Sequence, residues 1–117
     1  MSSAAVRLTA GNWEQEVVQS DLPVFVDFGA SWCPPCRAIA PIVDALAVEY
    51  AGRVKVATVD IDEEPELAER FGIQSVPTLA VFRGSEVVDG RLGAAPKAVL
   101  KEMLDGVLAA VPAAVRA

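Results

Sequence analysis

The chain has 117 residues, 53% of them hydrophobic, with a formal net charge of −6, two cysteines and no histidine. That length buries one core and is short for two ordinary domains, so a single domain over 1–117 is expected, with its core from about Leu8 to Leu108 and an alanine-rich tail after Ala110. The basic residues are scattered, which removes the electrostatic driver for a phosphate backbone or an anionic membrane, so neither nucleic acid nor membrane is an expected partner.

Along the chain, "MSSAAVRLTAGNW" lacks the apolar core of a secretory signal. "AVRL" (Ala5 to Leu8) reads as an edge strand, and Trp13 with Val17 marks a short first helix. "PVFVDF" (Pro23 to Phe28) is apolar at nearly every position, as in a strand covered on both faces. Ile39, Val43, Leu46 and Tyr50 then recur at helical spacing. "VKVATVD" (Val54 to Asp60) is β-branched and reads as a strand. "EEPELAERFG" reads as a helix, with Pro65 in its first turn and Gly72 as its stop. This order is a βαβ unit with parallel strands. "TLAVF" (Thr78 to Phe82) and "EVVDGRL" (Glu86 to Leu92) are separated only by "RGS", which requires an antiparallel hairpin. A last helix starts near Pro96 and carries Leu100, Met103, Leu104, Val107 and Leu108 on one face. The tail "GVLAAVPAAV" is far short of the about 18 residues needed to span a bilayer. The expected fold is α/β: a central mixed sheet of four to five strands, βαβ then ββα, with helices on both faces.

Both cysteines fall in "SWCPPCRAIAP", residues 31 to 41. A cytoplasmic protein is expected, and there ordinary thiols stay reduced, so a close pair points to redox or metal chemistry before a structural staple. Cys33 lies just past the strand, where the next helix begins. Unsatisfied N–H groups and about half a positive charge stabilise a thiolate there. Cys33 is therefore the expected nucleophile, with a lowered pKa. Cys36, inside the first helical turn, is expected to be more covered and to act as the resolving thiol. Pro34 and Pro35 lack N–H groups where that loss breaks no helical bond, and they stiffen the loop between the sulfurs. A zinc site needs about four ligands, which two thiolates without histidine do not supply, so no metal is expected. Two inert core cysteines are the plain alternative. Cysteine-protease chemistry lacks its histidine base.

The chain resembles the thioredoxin family from about Leu8 to Leu108, on "VDFGASWCPPCR", "FGIQSVPTLAVF" and "GRLGAAPKAVLKEML" in that order and spacing. The resemblance implies the thioredoxin fold and a cytosolic protein-disulfide reductase. Cys33 would attack a substrate disulfide, and Cys36 would resolve the mixed disulfide. Asp27 matches a buried acid that shuttles the proton of the resolving cysteine. Pro77, after Val76, matches a cis-proline facing the pair. Trp32, Val76, Gly93 and Ala94, with Pro34 and Pro35, match an apolar rim that holds an extended peptide, and Pro41 matches a helix kink. The implied electron donor is a flavin-dependent, NADPH-linked thioredoxin reductase. No bound cofactor is implied beyond the disulfide, and a monomer is expected. The same residues also fit an oxidant or disulfide isomerase, and a non-catalytic binding module on this fold is the non-enzyme alternative.

Three positions depart from the family pattern. "CPPC" replaces the usual glycine-proline pair and looks more like tryparedoxin or nucleoredoxin sites. Gly29 stands where the family usually has a tryptophan, which removes aromatic packing beneath the active-site loop. Thr58 stands where a lysine commonly approaches the buried acid, and Lys55 faces the opposite side of its strand. Asp27 is therefore expected to lack a cationic partner and to have its pKa raised by burial.

Overall fold

β-Branched and aromatic residues suit a pleated, covered surface, and the runs rich in them form the strands of the computed structural model, which describes residues 4–110. The first three residues and the tail after Ala110 lie outside the described residues. The strands are β1 (Val6–Arg7), β2 (Val24–Gly29), β3 (Lys55–Asp60), β4 (Thr78–Arg83) and β5 (Glu86–Leu92). They form one sheet in the order β1-β3-β2-β4-β5. β1 and β2 run parallel to β3, while β4 is antiparallel to β2 and β5. The expected βαβ unit followed by a hairpin is thus present, within the thioredoxin fold.

Side chains alternate across a strand, and this splits β2 between two cores. Val24, Val26 and Phe28 join Trp13, Val17, Ala57, Val59, Ala80 and Phe82 on one face. Phe25 belongs to the other face, where it meets Val56, Leu79 and Val81. That second core is closed by helices α1 (Pro34–Glu49) and α3 (Lys97–Ala109). The stripe Ile39, Val43, Leu46 and Tyr50 is buried, as are Leu100, Leu104 and Val107 of α3. Met103 and Leu108 pack more loosely against the same core. The Tyr50 hydroxyl donates to the Asp105 carboxylate at 2.7 Å, joining the end of α1 to α3. α1 continues through Pro41, whose missing N–H cannot return the bond to the Arg37 carbonyl.

The first face is covered by α2 (Pro65–Arg70) and by a helical turn over Glu14–Val18. α2 ends in a Schellman motif: Ile73 N–H donates to the Ala68 carbonyl and Gly72 N–H to that of Glu69, with Gly72 at φ +63°. The turn at Glu14–Val18 differs from the short α-helix expected there. It is wider, closed by Gln19 N–H donating to the Glu14 carbonyl. This wider pitch lets the consecutive Val17 and Val18 both pack on the sheet. β1 is also shorter than Ala5–Leu8, because Thr9 and Asn12 exchange side-chain bonds that turn the chain away from the sheet.

Trp13, 2% exposed, is the hub of this face. Its ring lies 4.8 Å from Phe71, 5.2 Å edge-on from Phe82 and 6.3 Å from Phe28. Truncation would leave a cavity that the three rings cannot fill together. Trp13→Ala is expected to lower unfolding stability by about 3–5 kcal/mol, read from denaturant midpoints. A loss well under 1 kcal/mol would show that the cluster is not a packing hub.

Candidate active site

Strand directions decide which loops meet. In register, Phe28 lies opposite Thr78, Gly29 beside Asp60, and Thr78 opposite Leu92. The segments after β2, β3 and β5 and the segment before β4 therefore converge at one end of the sheet. Ser31 to Cys36, Ile61 to Glu63, Ser75 to Pro77 and Gly93 to Ala94 come together there.

Cys33 caps the amino terminus of α1, with Pro34 and Pro35 in the first turn. The sequence dictates this local form, because prolines fit the turn whose N–H groups have no helical acceptor. The first N–H available after them belongs to Cys36, and it donates to Cys33 Sγ at 3.2 Å. The two cysteines form a disulfide with their Cα atoms 5.2 Å apart. Cys33 Sγ lies 3.7 Å from the carbonyl oxygen of Val76, which precedes a cis peptide bond to Pro77. Ala30, Val76 and Ile61 pack around the pair.

The relative cover of the two cysteines differs from expectation. Cys36 is 8% exposed and Cys33 only 2%. Val76 closes over Cys33, whereas the residue facing Cys36 from β2 is Gly29, which has no side chain to cover it.

The other predicted residues take distinct places. Trp32 is 62% exposed, and its indole N–H donates to Asp62 at 2.7 Å. Pro34, Pro35 and Ala94 are exposed, Val76 is half-buried and Pro77 is buried. Gly93 N–H donates to the Pro77 carbonyl at 2.8 Å, and its φ of +86° is one that glycine adopts without strain. Val76 lies on the Cys33 side of the disulfide, and Asp27 borders the Cys36 side together with Gly29.

Asp27 sits on the α1 face of β2, between Thr58 and Leu79 in the neighbouring strands. It is 7% exposed, and its Oδ1 has no hydrogen-bond partner among the described residues. Burial pushes its carboxyl from 3.8 up to about 6. Lys55 does not relieve it, because its ammonium group bonds the Glu16 carboxylate and carbonyl, both at 2.9 Å. The expected raised acid without a cationic neighbour agrees with this geometry.

Three neighbours of the site escape a reading of the sequence. Asp62 anchors the indole, Ile61 packs against the cysteines, and Leu92, 76% exposed, extends the apolar surface beside Gly93. The signal for the first two is their position just past the β3 carboxyl end, where loops of an α/β sheet gather its functional groups. Among the described residues, no group of three or more His, Cys, Asp or Glu side chains is arranged to hold a metal ion. No described helix is long and apolar enough to cross a membrane.

Comparison with known proteins agrees with this geometry. The family model for thioredoxin matches residues 4–106. Thioredoxin 1 of Nostoc sp. is 48% identical over 103 residues, covering 88% of this chain and 96% of its own length. Thioredoxin 1 of Synechococcus elongatus is 47% identical with the same coverage. The chloroplastic M-type thioredoxin of Pisum sativum is 48% identical over 94 residues, covering 80% of this chain and 55% of its own. With a disulfide of C-x-x-C spacing capping α1 beside a cis-proline, the chain belongs to the thioredoxin family and is a dithiol-disulfide oxidoreductase.

Proposed function

We propose that the chain works as a single-domain, monomeric cytoplasmic reductase of protein disulfides, recharged by an NADPH-linked flavoprotein of the thioredoxin reductase class. The observation that carries the direction of attack is the Cys36 N–H aimed at Cys33 Sγ. In the reduced protein this donor and the α1 dipole favour negative charge on Cys33. Cys33 thiolate attacks one sulfur of a substrate disulfide and expels the other as a thiolate. The Cys36 thiolate then attacks Cys33 Sγ, the mixed disulfide breaks, and the substrate leaves with both cysteines reduced. The chain's own disulfide is the whole redox group.

The remaining residues take roles that follow from their positions. Asp27, beneath the pair and half-ionised near pH 6, accepts the proton of Cys36 as it becomes a nucleophile. Trp32, Val76, Pro77, Gly93 and Ala94, with Pro34 and Pro35, form the surface that meets the substrate chain. The Val76 carbonyl oxygen lies 3.7 Å from Cys33 Sγ, so an extended peptide laid against Val76 would pass its own sulfur over Cys33.

Cys33→Ser is expected to reduce protein-disulfide turnover by on the order of 10⁴-fold. Cys36→Ser is expected to accumulate a mixed disulfide through Cys33. Turnover assays with mass mapping of the adduct check both, and full activity of the Cys33 variant would overturn the assignment.

The direction of electron flow has its own measurement. Equilibrated against a dithiothreitol series, the pair is expected to be more reducing than the about −180 mV of a disulfide isomerase. A more oxidising value would make the protein a disulfide donor.

Asp27 gives a prediction in pH. The folded chain holds this proton up to about pH 6 and an ordinary aspartate only to 3.8, so the folded state binds more protons between those values. Stability contributed by this group therefore falls as pH rises through that window. The oxidised Asp27→Asn variant is expected to exceed the parent chain at pH 7 by up to about 3 kcal/mol, and the gap should close below about pH 4. Denaturant unfolding at the two pH values reads it, and an equal gap at both would assign the effect to something other than titration.

A further inference from the structure

Gly29 and Asp27 lie on the α1 face of β2, and a groove of about 290 Å³ runs between that face and the first half of α1. Cys36, Arg37 and Ala40 form its helix wall, and Asp27, Gly29 and Thr58 its sheet wall. A Cβ on Gly29 would lie 3.4 Å from Cys36 Sγ and 3.6 Å from Asp27 Oδ1, so sulfur and carboxylate border the same gap. The gap exists because glycine and alanine leave it unfilled. None of Trp32, Cys33, Val76 and Pro77 lines it, which separates it from the surface assigned above to protein substrates. Asp27 Oδ1, buried and without a hydrogen-bond partner among the described residues, is an acceptor at its floor.

We propose that this groove is a second entrance to the redox pair, through which a low-molecular-weight disulfide reaches Cys36 directly. The inference rests on the dithiol-disulfide chemistry of the pair and adds a substrate class to it. In the reduced protein, Asp27 takes the Cys36 proton, and the Cys36 thiolate attacks one sulfur of the small disulfide. The bond between its two sulfurs breaks, and one half leaves as a thiolate that picks up a proton. Cys33 thiolate then attacks Cys36 Sγ and expels the second half, closing the Cys33–Cys36 disulfide. Two electrons pass from the protein dithiol to the small disulfide, and the two dithiol protons end on the two released thiols. The order of the cysteines is the reverse of that for a protein substrate.

At about 290 Å³ the groove has room for a small molecule. Its lining carries both signs, with Arg7 and Arg37 as well as Asp27 and Asp60, while Arg7 is paired with Glu63 and Arg37 bonds the Ser31 carbonyl. Such a lining suits a neutral or zwitterionic molecule better than one of a single charge.

The test uses Cys33→Ser, in which Cys36 is the only thiol, with bis(2-hydroxyethyl) disulfide as the probe and intact mass as the readout. An adduct on Cys36 is expected, and adding Gly29→Trp should slow its formation by about tenfold or more. Ala40→Leu, on the exposed wall of α1, fills the groove from the other side and serves if the tryptophan variant does not fold. With both cysteines present, Gly29→Trp should still reduce a protein disulfide at close to the parent rate. An unreactive Cys36, or a rate unchanged in a folded groove-filling variant, overturns the proposal. Failure of the parent chain to reduce protein disulfides would instead count against the proposed function, and the adduct rates would remain readable on their own.

Discussion

Antiparallel pairing of β2 with β4, set beside parallel pairing of β2 with β3, is the constraint from which the site follows. Because β2 and β3 end where β4 begins, the loop that carries both cysteines and the loop that carries the cis-proline cannot avoid each other. With Phe28 opposite Thr78, the remaining separation is a few residues of loop on each side. A slip of one residue in this register would turn Asp27 to the opposite face and put Phe28 in its place. The two cores guard against that slip, since each claims alternate side chains of β2.

The redox pair lies where the sheet end, the start of α1 and the two flanking loops meet, and its two sulfurs have unequal surroundings. One is under Val76 and receives an N–H from the helix end. The other faces Gly29 above a buried carboxyl. Two cysteines three residues apart are chemically similar in the unfolded chain, and the fold makes them different. The difference arises from backbone position for Cys33 and from a missing side chain for Cys36.

Much of this could be read from the sequence because its signals are local. The stripe Ile39 to Tyr50 and the apolar run Val24 to Phe28 each carry a periodicity that only one kind of element satisfies. The proline pair Pro34–Pro35, Gly72 and the short "RGS" link punctuate the chain where elements start or stop. The raised acid at Asp27 was legible too, because apolar neighbours in sequence are neighbours across a covered strand. The relative cover of the cysteines was not, since it depends on Gly29 meeting Cys36 across an interface between elements. Asp62, Ile61 and Leu92 were hidden for the same reason, being ordinary loop or strand-end residues until the sheet assembles. The wide turn at Glu14–Val18 eluded periodicity because Trp13 and Val17 recur at a spacing that an α-helix also satisfies.

The two tryptophans of the chain occupy opposite environments. Trp13 is enclosed by three phenylalanine rings, and Trp32 stands mostly in water, held by Asp62 next to the disulfide. The indoles therefore act as two separate optical reporters. Emission from Trp13 follows the integrity of the aromatic core, and emission from Trp32 follows the oxidation state of the neighbouring sulfurs and the arrival of a partner. Replacing one of them by phenylalanine would let global unfolding and local redox events be watched independently, without an attached dye.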